Sequence, residues 1–134
     1  MTRFLLDTNH MSEAIRSVSR VRDRIQQAGR GGSRFATCWP VLCELEEGII
    51  QTADPSRYRR KLRTILADVR IWPMDWPLIR RFAELSQSLK SRGRALSHVD
   101  VVLASMAWNE EAILLTSDAD FLAIPELRIE NWLA

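Results

Sequence analysis

Apolar positions along this chain fall into short dense runs, separated by longer stretches in which they recur at helical spacing. Phe4-Leu5-Leu6 is such a run, and with Arg3 it predicts a buried strand over Arg3–Leu6. Further strands are predicted at Arg34–Thr37, Val69–Met74, Ile113–Thr116 and Arg128–Trp132. Helices are predicted near Met11–Ile15, from Ser19 to Ala28 with Gly29 as its stop, and from Pro40 through Val41, Leu42, Leu45 and Ile49. Asp54-Pro55 pairs a cap with proline at the first helical position and opens a helix to about Leu66. Trp76 to about Arg92, stopped by Gly93, and Ser97 to Glu110 are two more helices, and a turn of helix at Ala119–Ala123 ends before Pro125. Strands alternate with helices throughout, which predicts an α/β fold with a mostly parallel sheet covered on both faces. In such sheets ligands gather beyond the carboxyl ends of the strands, so the residues that follow each strand carry the functional interest.

Asp7 directly follows the first strand, and Asp118 follows the fourth by one residue beyond Thr116. Glu44 stands between Val41, Leu45 and Gly48, on or at the border of an apolar helix face where it has no capping role. Asp100 opens the helix Ser97-His98-Val99-Asp100-Val101-Val102-Leu103-Ala104, which is apolar on nearly every side beyond it. Each acid has a structural alternative. Asp7 and Asp118 could cap the helices they precede, and Ser97-x-x-Asp100 resembles a capping box. Four acids at strand ends or on first helical turns are less readily explained jointly. Hard divalent cations prefer oxygen ligands and keep several waters. Held by carboxylates, such an ion lowers the pKa of a bound water and polarises a phosphoryl oxygen. Without it, unit charges ~4 Å apart repel by about 4 kcal/mol at an effective dielectric of 20, so at least one of the acids is expected to hold a proton in the metal-free protein.

Composition narrows the picture only slightly. The chain has 134 residues, 46% hydrophobic and 27% charged, which suits one domain spanning 1–134. Gly29-Arg30-Gly31-Gly32-Ser33 is a loop too short to divide it. No apolar run approaches the ~20 residues of a membrane span. The amino terminus reaches Asp7 too early for a signal-peptide core, so a cytoplasmic protein with Cys38 and Cys43 reduced is expected. The net charge of +2 and pI near 8.8 are weak pointers to RNA. Basic residues cluster at Arg57, Arg59, Arg60, Lys61 and Arg63, and again at Lys90, Arg92 and Arg94. Such runs are more often solvated faces than ligand sites; Arg94, near Asp100, ranks first for RNA contact, with Arg60 from the larger cluster beside it. The five tryptophans are expected to serve core or dimer packing more than base stacking. His10 and His98 are read as half-exposed first-turn residues, and with Cys38 and Cys43 they match no zinc spacing. No Walker loop and no Gly-x-Ser-x-Gly elbow occur.

Phe4-Leu5-Leu6-Asp7-Thr8-Asn9, Val41-Leu42-Cys43-Glu44-Leu45-Glu46-Glu47-Gly48-Ile49, Asp100-Val101-Val102-Leu103-Ala104-Ser105, Leu115-Thr116-Ser117-Asp118-Ala119-Asp120-Phe121 and Leu127-Arg128-Ile129-Glu130-Asn131-Trp132 occur in an order that resembles the PIN-domain ribonucleases, and within them the VapC-type toxins of toxin–antitoxin modules. The resemblance spans nearly the whole chain. It implies a small three-layer α/β/α sandwich with catalytic, metal-binding Asp7, Glu44, Asp100 and Asp118. Thr8 and Thr116 would orient carboxylates or water, and Asp120 would be a supporting acid or helix cap. It also implies Mg²⁺ or Mn²⁺ as cofactor, a structured RNA such as tRNA as substrate, a cognate antitoxin and a homodimer. The alternative on the same fold is a catalytically silent RNA- or protein-binding module. A phosphoacceptor domain is disfavoured, because only Asp7 stands at the first strand and no lysine follows Lys90. The chain departs from the family pattern at His10-Met11, where aliphatic residues are usual, and at His98-Val99.

Overall fold

The first strand is apolar on both of its faces, so it needs cover from both sides, and the fold supplies it. In a computed structural model describing residues 1–133, β1 (Arg3–Leu6), β2 (Arg34–Thr37), β3 (Val69–Ile71), β4 (Ile113–Leu115) and β5 (Ile129–Glu130) form one sheet in the order β3-β2-β1-β4-β5. Every pairing is parallel, with Phe4 opposite Phe35 on one side and Ile113 on the other. The helices are α1 (Thr8–Ala14), α2 (Arg20–Arg30), α3 (Trp39–Ile50), α4 (Pro55–Ile65), α5 (Trp76–Ser91) and α6 (His98–Asn109). A 3₁₀ turn spans Ala119–Ala123. The expected α/β architecture is present.

From β1 the chain steps outward to β2 and β3, then returns to β4 on the other side of β1. Right-handed crossovers therefore put α1 to α4 on one face and α5 and α6 on the other. The packing agrees: α1 lies against α2 and α3, α3 against α4, and α5 against α6. The direction of winding reverses between β1 and β4, and this is where a doubly wound sheet opens a crevice. Helix α3 also touches α6 beside it.

Phe4 stacks on Phe35 with ring centroids 5.1 Å apart, and Trp132 leans on both at 4.9 and 5.7 Å. Aromatic pairs of this kind contribute about 0.5–1.5 kcal/mol beyond their burial. The Arg24 guanidinium covers the outer face of Trp132 at 4.0 Å. Trp132 is thus a core residue, whereas Trp39 and Trp76 are exposed and Trp72 and Trp108 only partly buried. On α6 every residue from Val101 to Ala107 is buried, and the hydroxyl of Ser105 donates to the Val101 carbonyl at 2.7 Å.

The boundaries differ from expectation for local reasons. Helix α1 begins at Thr8 rather than Met11, because the Asp7 side chain caps it. Strand β3 ends at Ile71: Trp72 still donates to Thr37, but Pro73 has no N–H to continue the ladder. β5 is only two residues long. No helix among the described residues is long and apolar enough to cross a membrane.

Candidate functional site

Asp7 leaves β1 at its carboxyl end, and its N–H continues the β1–β4 pairing by donating to Leu115 at 3.2 Å. Its Oδ1 accepts from the His10 N–H at 2.8 Å and from the His10 ring Nδ1 at 2.9 Å. Oδ2 has no protein partner, yet no buried side-chain polar atom lacks one among the described residues, so Oδ2 meets the solvent of the crevice. The capping and functional readings of Asp7 are therefore compatible, since one oxygen caps and the other remains free.

Thr116 ends the β4 segment, buried, and its hydroxyl accepts from the Asp118 N–H at 3.1 Å. Asp118 in turn caps the 3₁₀ turn, its Oδ1 accepting from Asp120 N–H at 2.8 Å. The cap of that turn is thus Asp118. Asp120 is exposed and lines a neighbouring cavity with Arg94 instead.

Glu44 projects from the second turn of α3. It is exposed, so the burial expected from its apolar neighbours does not occur: Val41 and Leu45 turn inward while Glu44 stands at the border of that face. The Thr8 hydroxyl holds its Oε1 at 2.6 Å. Asp100 is half-buried on the first turn of α6, where the Ser97 hydroxyl accepts from its N–H at 3.1 Å.

These elements bring Asp7, Glu44, Asp100 and Asp118 onto one open cavity of about 320 Å³, together with Thr8, Asn9 and Leu103. Burial pushes the Asp100 carboxyl above its ordinary pKa, the Ser97 hydroxyl opposes this, and the charges of Asp118, Glu44 and Asp7 push it further up. Of the four acids, Asp100 is thus the one whose carboxyl holds its proton more tightly than an ordinary carboxylate does. The Cys38 thiol behind the site is raised to about 11, chiefly by burial, and Cys43 is exposed; both are free.

The donor set fits a hard divalent cation, since every charged group lining the cavity is a carboxylate and, among the described residues, none pairs with a lysine or arginine. Among the described residues no three His, Cys, Asp or Glu side chains converge into a ready-made cage. Mg²⁺ does not need one, because it keeps several waters and binds through one or two carboxylates directly.

Other candidates fall outside this cavity. Arg94 follows Gly93, whose φ of +68° closes α5, with Arg94 N–H donating to Leu89 at 2.8 Å. Arg60 is exposed on α4 and is not among the residues lining the cavity. His98 is exposed, edge-on to Phe82 at 5.7 Å. His10 corrects the reading of a half-exposed residue: it is fully buried under the site. Its ring lies between Asp7 and the Trp132 N–H, which donates to Nε2 at 3.0 Å. The distant partner, 122 residues along the chain, left no local signal. The lining role of Asn9 could have been found from its place in Asp7-Thr8-Asn9.

The profile of the PIN domain matches residues 4–127. Ribonuclease VapC2 of Rickettsia felis is 30% identical over 93 residues, covering 69% of each chain. Ribonuclease VapC5 of Mycobacterium tuberculosis is 30% identical over 93 residues, covering 68% of this chain and 69% of its own. In the crystal structure of VapBC2 from Rickettsia felis bound to a promoter DNA fragment, a chain 26% identical superposes with a TM-score of 0.86, covering 98% of this chain and 99% of that one. On the reach of the family match and the identity to these relatives, the chain belongs to the PIN-domain family.

Proposed function

We propose that the chain is a divalent-metal-dependent endoribonuclease, the toxin of a toxin–antitoxin pair, and that it cuts RNA at the cavity lined by Asp7, Glu44, Asp100 and Asp118. The observation that carries this reading is the meeting of four carboxylates, from β1, α3, α6 and the turn after β4, at the crevice where the sheet's winding reverses. Mg²⁺ or Mn²⁺ would be held by Asp7 and Asp100 with Glu44 and Asp118 beside them. When bound, the cation supplies Lewis acidity and offsets the charge of the scissile phosphodiester. The chain's own residues supply position. Thr8 fixes the Glu44 carboxylate from one side, and Thr116 fixes the backbone from which Asp118 projects. Asp100, whose carboxyl is pushed above its ordinary pKa, would have to give up its proton to ligate a cation. Arg94, beside Asp120 at the neighbouring cavity, would meet RNA phosphates flanking the cut.

The relatives' names and the VapBC assembly of the structural neighbour support the toxin reading. A cognate antitoxin, a homodimer, a structured RNA such as tRNA and a cytoplasmic setting belong to the same proposal. Purified chain freed of any antitoxin, incubated with a pool of structured RNA, is expected to cut with Mg²⁺ or Mn²⁺ and to stop with a chelator. Asp7→Asn and Glu44→Gln are each expected to lose at least about a hundredfold in cleavage rate with the fold intact. Metal-independent cutting, or wild-type rates in either variant, would remove the site from this role. RNA binding without cleavage in either metal would favour a silent binding module instead.

A further inference from the structure

His10 is a buried polar side chain that the proposed chemistry does not use, and its two ring nitrogens have different partners. A backbone N–H can only donate, so Nε2, facing the Trp132 N–H at 3.0 Å, must be an acceptor. The ring proton then sits on Nδ1, and the 2.9 Å contact to Asp7 is a donation into Oδ1. The same Oδ1 also takes the His10 backbone N–H at 2.8 Å. Two donors on one oxygen, separated by a rigid ring and the first turn of α1, fix both the position and the rotation of the carboxylate. Oδ2 is thereby left as the atom that faces the crevice.

We propose that His10 is a positioning residue of the carboxylate site, aiming Asp7 Oδ2 at the cation through an Nδ1–H donor that the Trp132 backbone holds in its tautomer. This rests on the reading of the cavity as a cation site. It also ties the site to the far end of the chain: the strand-edge segment Glu130–Trp132 sets the tautomer, and Trp132 is itself anchored against Phe4 and Phe35. Helix α1 alone would hold Asp7 by one backbone donor. An aliphatic residue at this position would leave the carboxylate free to rotate about that single bond.

The variants separate the two ring atoms. Asparagine can place an amide donor where Nδ1 stands but does not reach Trp132; glutamine reaches the Nε2 position and leaves Asp7 without its donor. Mn²⁺ binding to the full-length chain is measured by calorimetry, with circular dichroism to confirm folding. His10→Leu and His10→Gln are each expected to weaken Mn²⁺ binding roughly ten- to a hundredfold, and His10→Asn only a few-fold. In the wild type, ¹⁵N spectra of the His10 ring are expected to show the proton on Nδ1. If His10→Leu fails to fold, the contrast between Asn and Gln decides. Leu or Gln variants that bind Mn²⁺ within twofold of the wild type overturn the proposal, as do Asn and Gln variants weakened equally or a proton found on Nε2. A wild-type chain that binds no divalent cation sinks the metal reading itself, a result distinguishable from these.

Discussion

Asp100 carries the electrostatic strain of the site. Its pKa is raised, first by burial and then by three neighbouring carboxylates, so ionising it in the folded chain costs more than in the unfolded one. The sign follows from linkage. With the folded pKa above the unfolded value, no penalty exists below the unfolded pKa; stability falls as pH rises from there through the folded pKa, and the penalty is constant above it. In metal-free protein, Asp100→Asn is therefore expected to melt at a higher temperature than wild type at pH 7, with the gap closing towards the acid side of the ordinary carboxylate range. An equal or lower melting temperature at pH 7 would mean that the crowding of Asp7, Glu44 and Asp118 around it is not real. Added Mn²⁺ is expected to reverse the order, since ligand at about a hundredfold its Kd stabilises by about 2.7 kcal/mol. Of these residues, the identity of the four acids was legible in the sequence. The state of Glu44 was not: the apolar run around it suggested burial, but its side chain leaves the border of the face and meets Thr8, thirty-six positions away in sequence.

At the scale of elements, the strands and helices with strong local signals appear where the pattern puts them. Arg3–Leu6 and Arg34–Thr37 match because each is bounded by a sharp change of character. Ends set by a single atom do not follow from periodicity: Pro73 truncates β3, and the Asp7 cap advances α1. The end of α6 has its own chemistry. Glu111 adopts φ of +52°, a conformation that favours glycine, while its neighbour Ala112 donates back to Ala107 at 2.8 Å. A left-handed conformation costs an L residue about 1–2 kcal/mol, and glycine recovers this less its own entropy of about 0.5–1 kcal/mol. Glu111→Gly, at an exposed site, is expected to raise unfolding stability in urea by up to about 1 kcal/mol without changing cleavage. A loss of stability would show that the Glu111 side chain contributes something its geometry does not reveal.

For the whole molecule, what matters is an order of strands that periodicity does not encode. Nothing local in Phe4-Leu5-Leu6 or Ile113-Leu114-Leu115 says that they are neighbours, yet their pairing opens the crevice between Asp7 and Asp118. Helices α3 and α6, from opposite faces of the sheet, then meet at that crevice and deliver Glu44 and Asp100 to it. The pattern predicts a parallel sheet and the family resemblance a three-layer sandwich, but neither states which strands are neighbours. Anomalous diffraction from crystals of this chain soaked in saturating Mn²⁺ tests the resulting site most directly. The account predicts a peak within ligating reach of Asp7 Oδ2 and at least one of Glu44, Asp100 and Asp118. Mn²⁺ bound elsewhere, with only water among those four side chains, would contradict it.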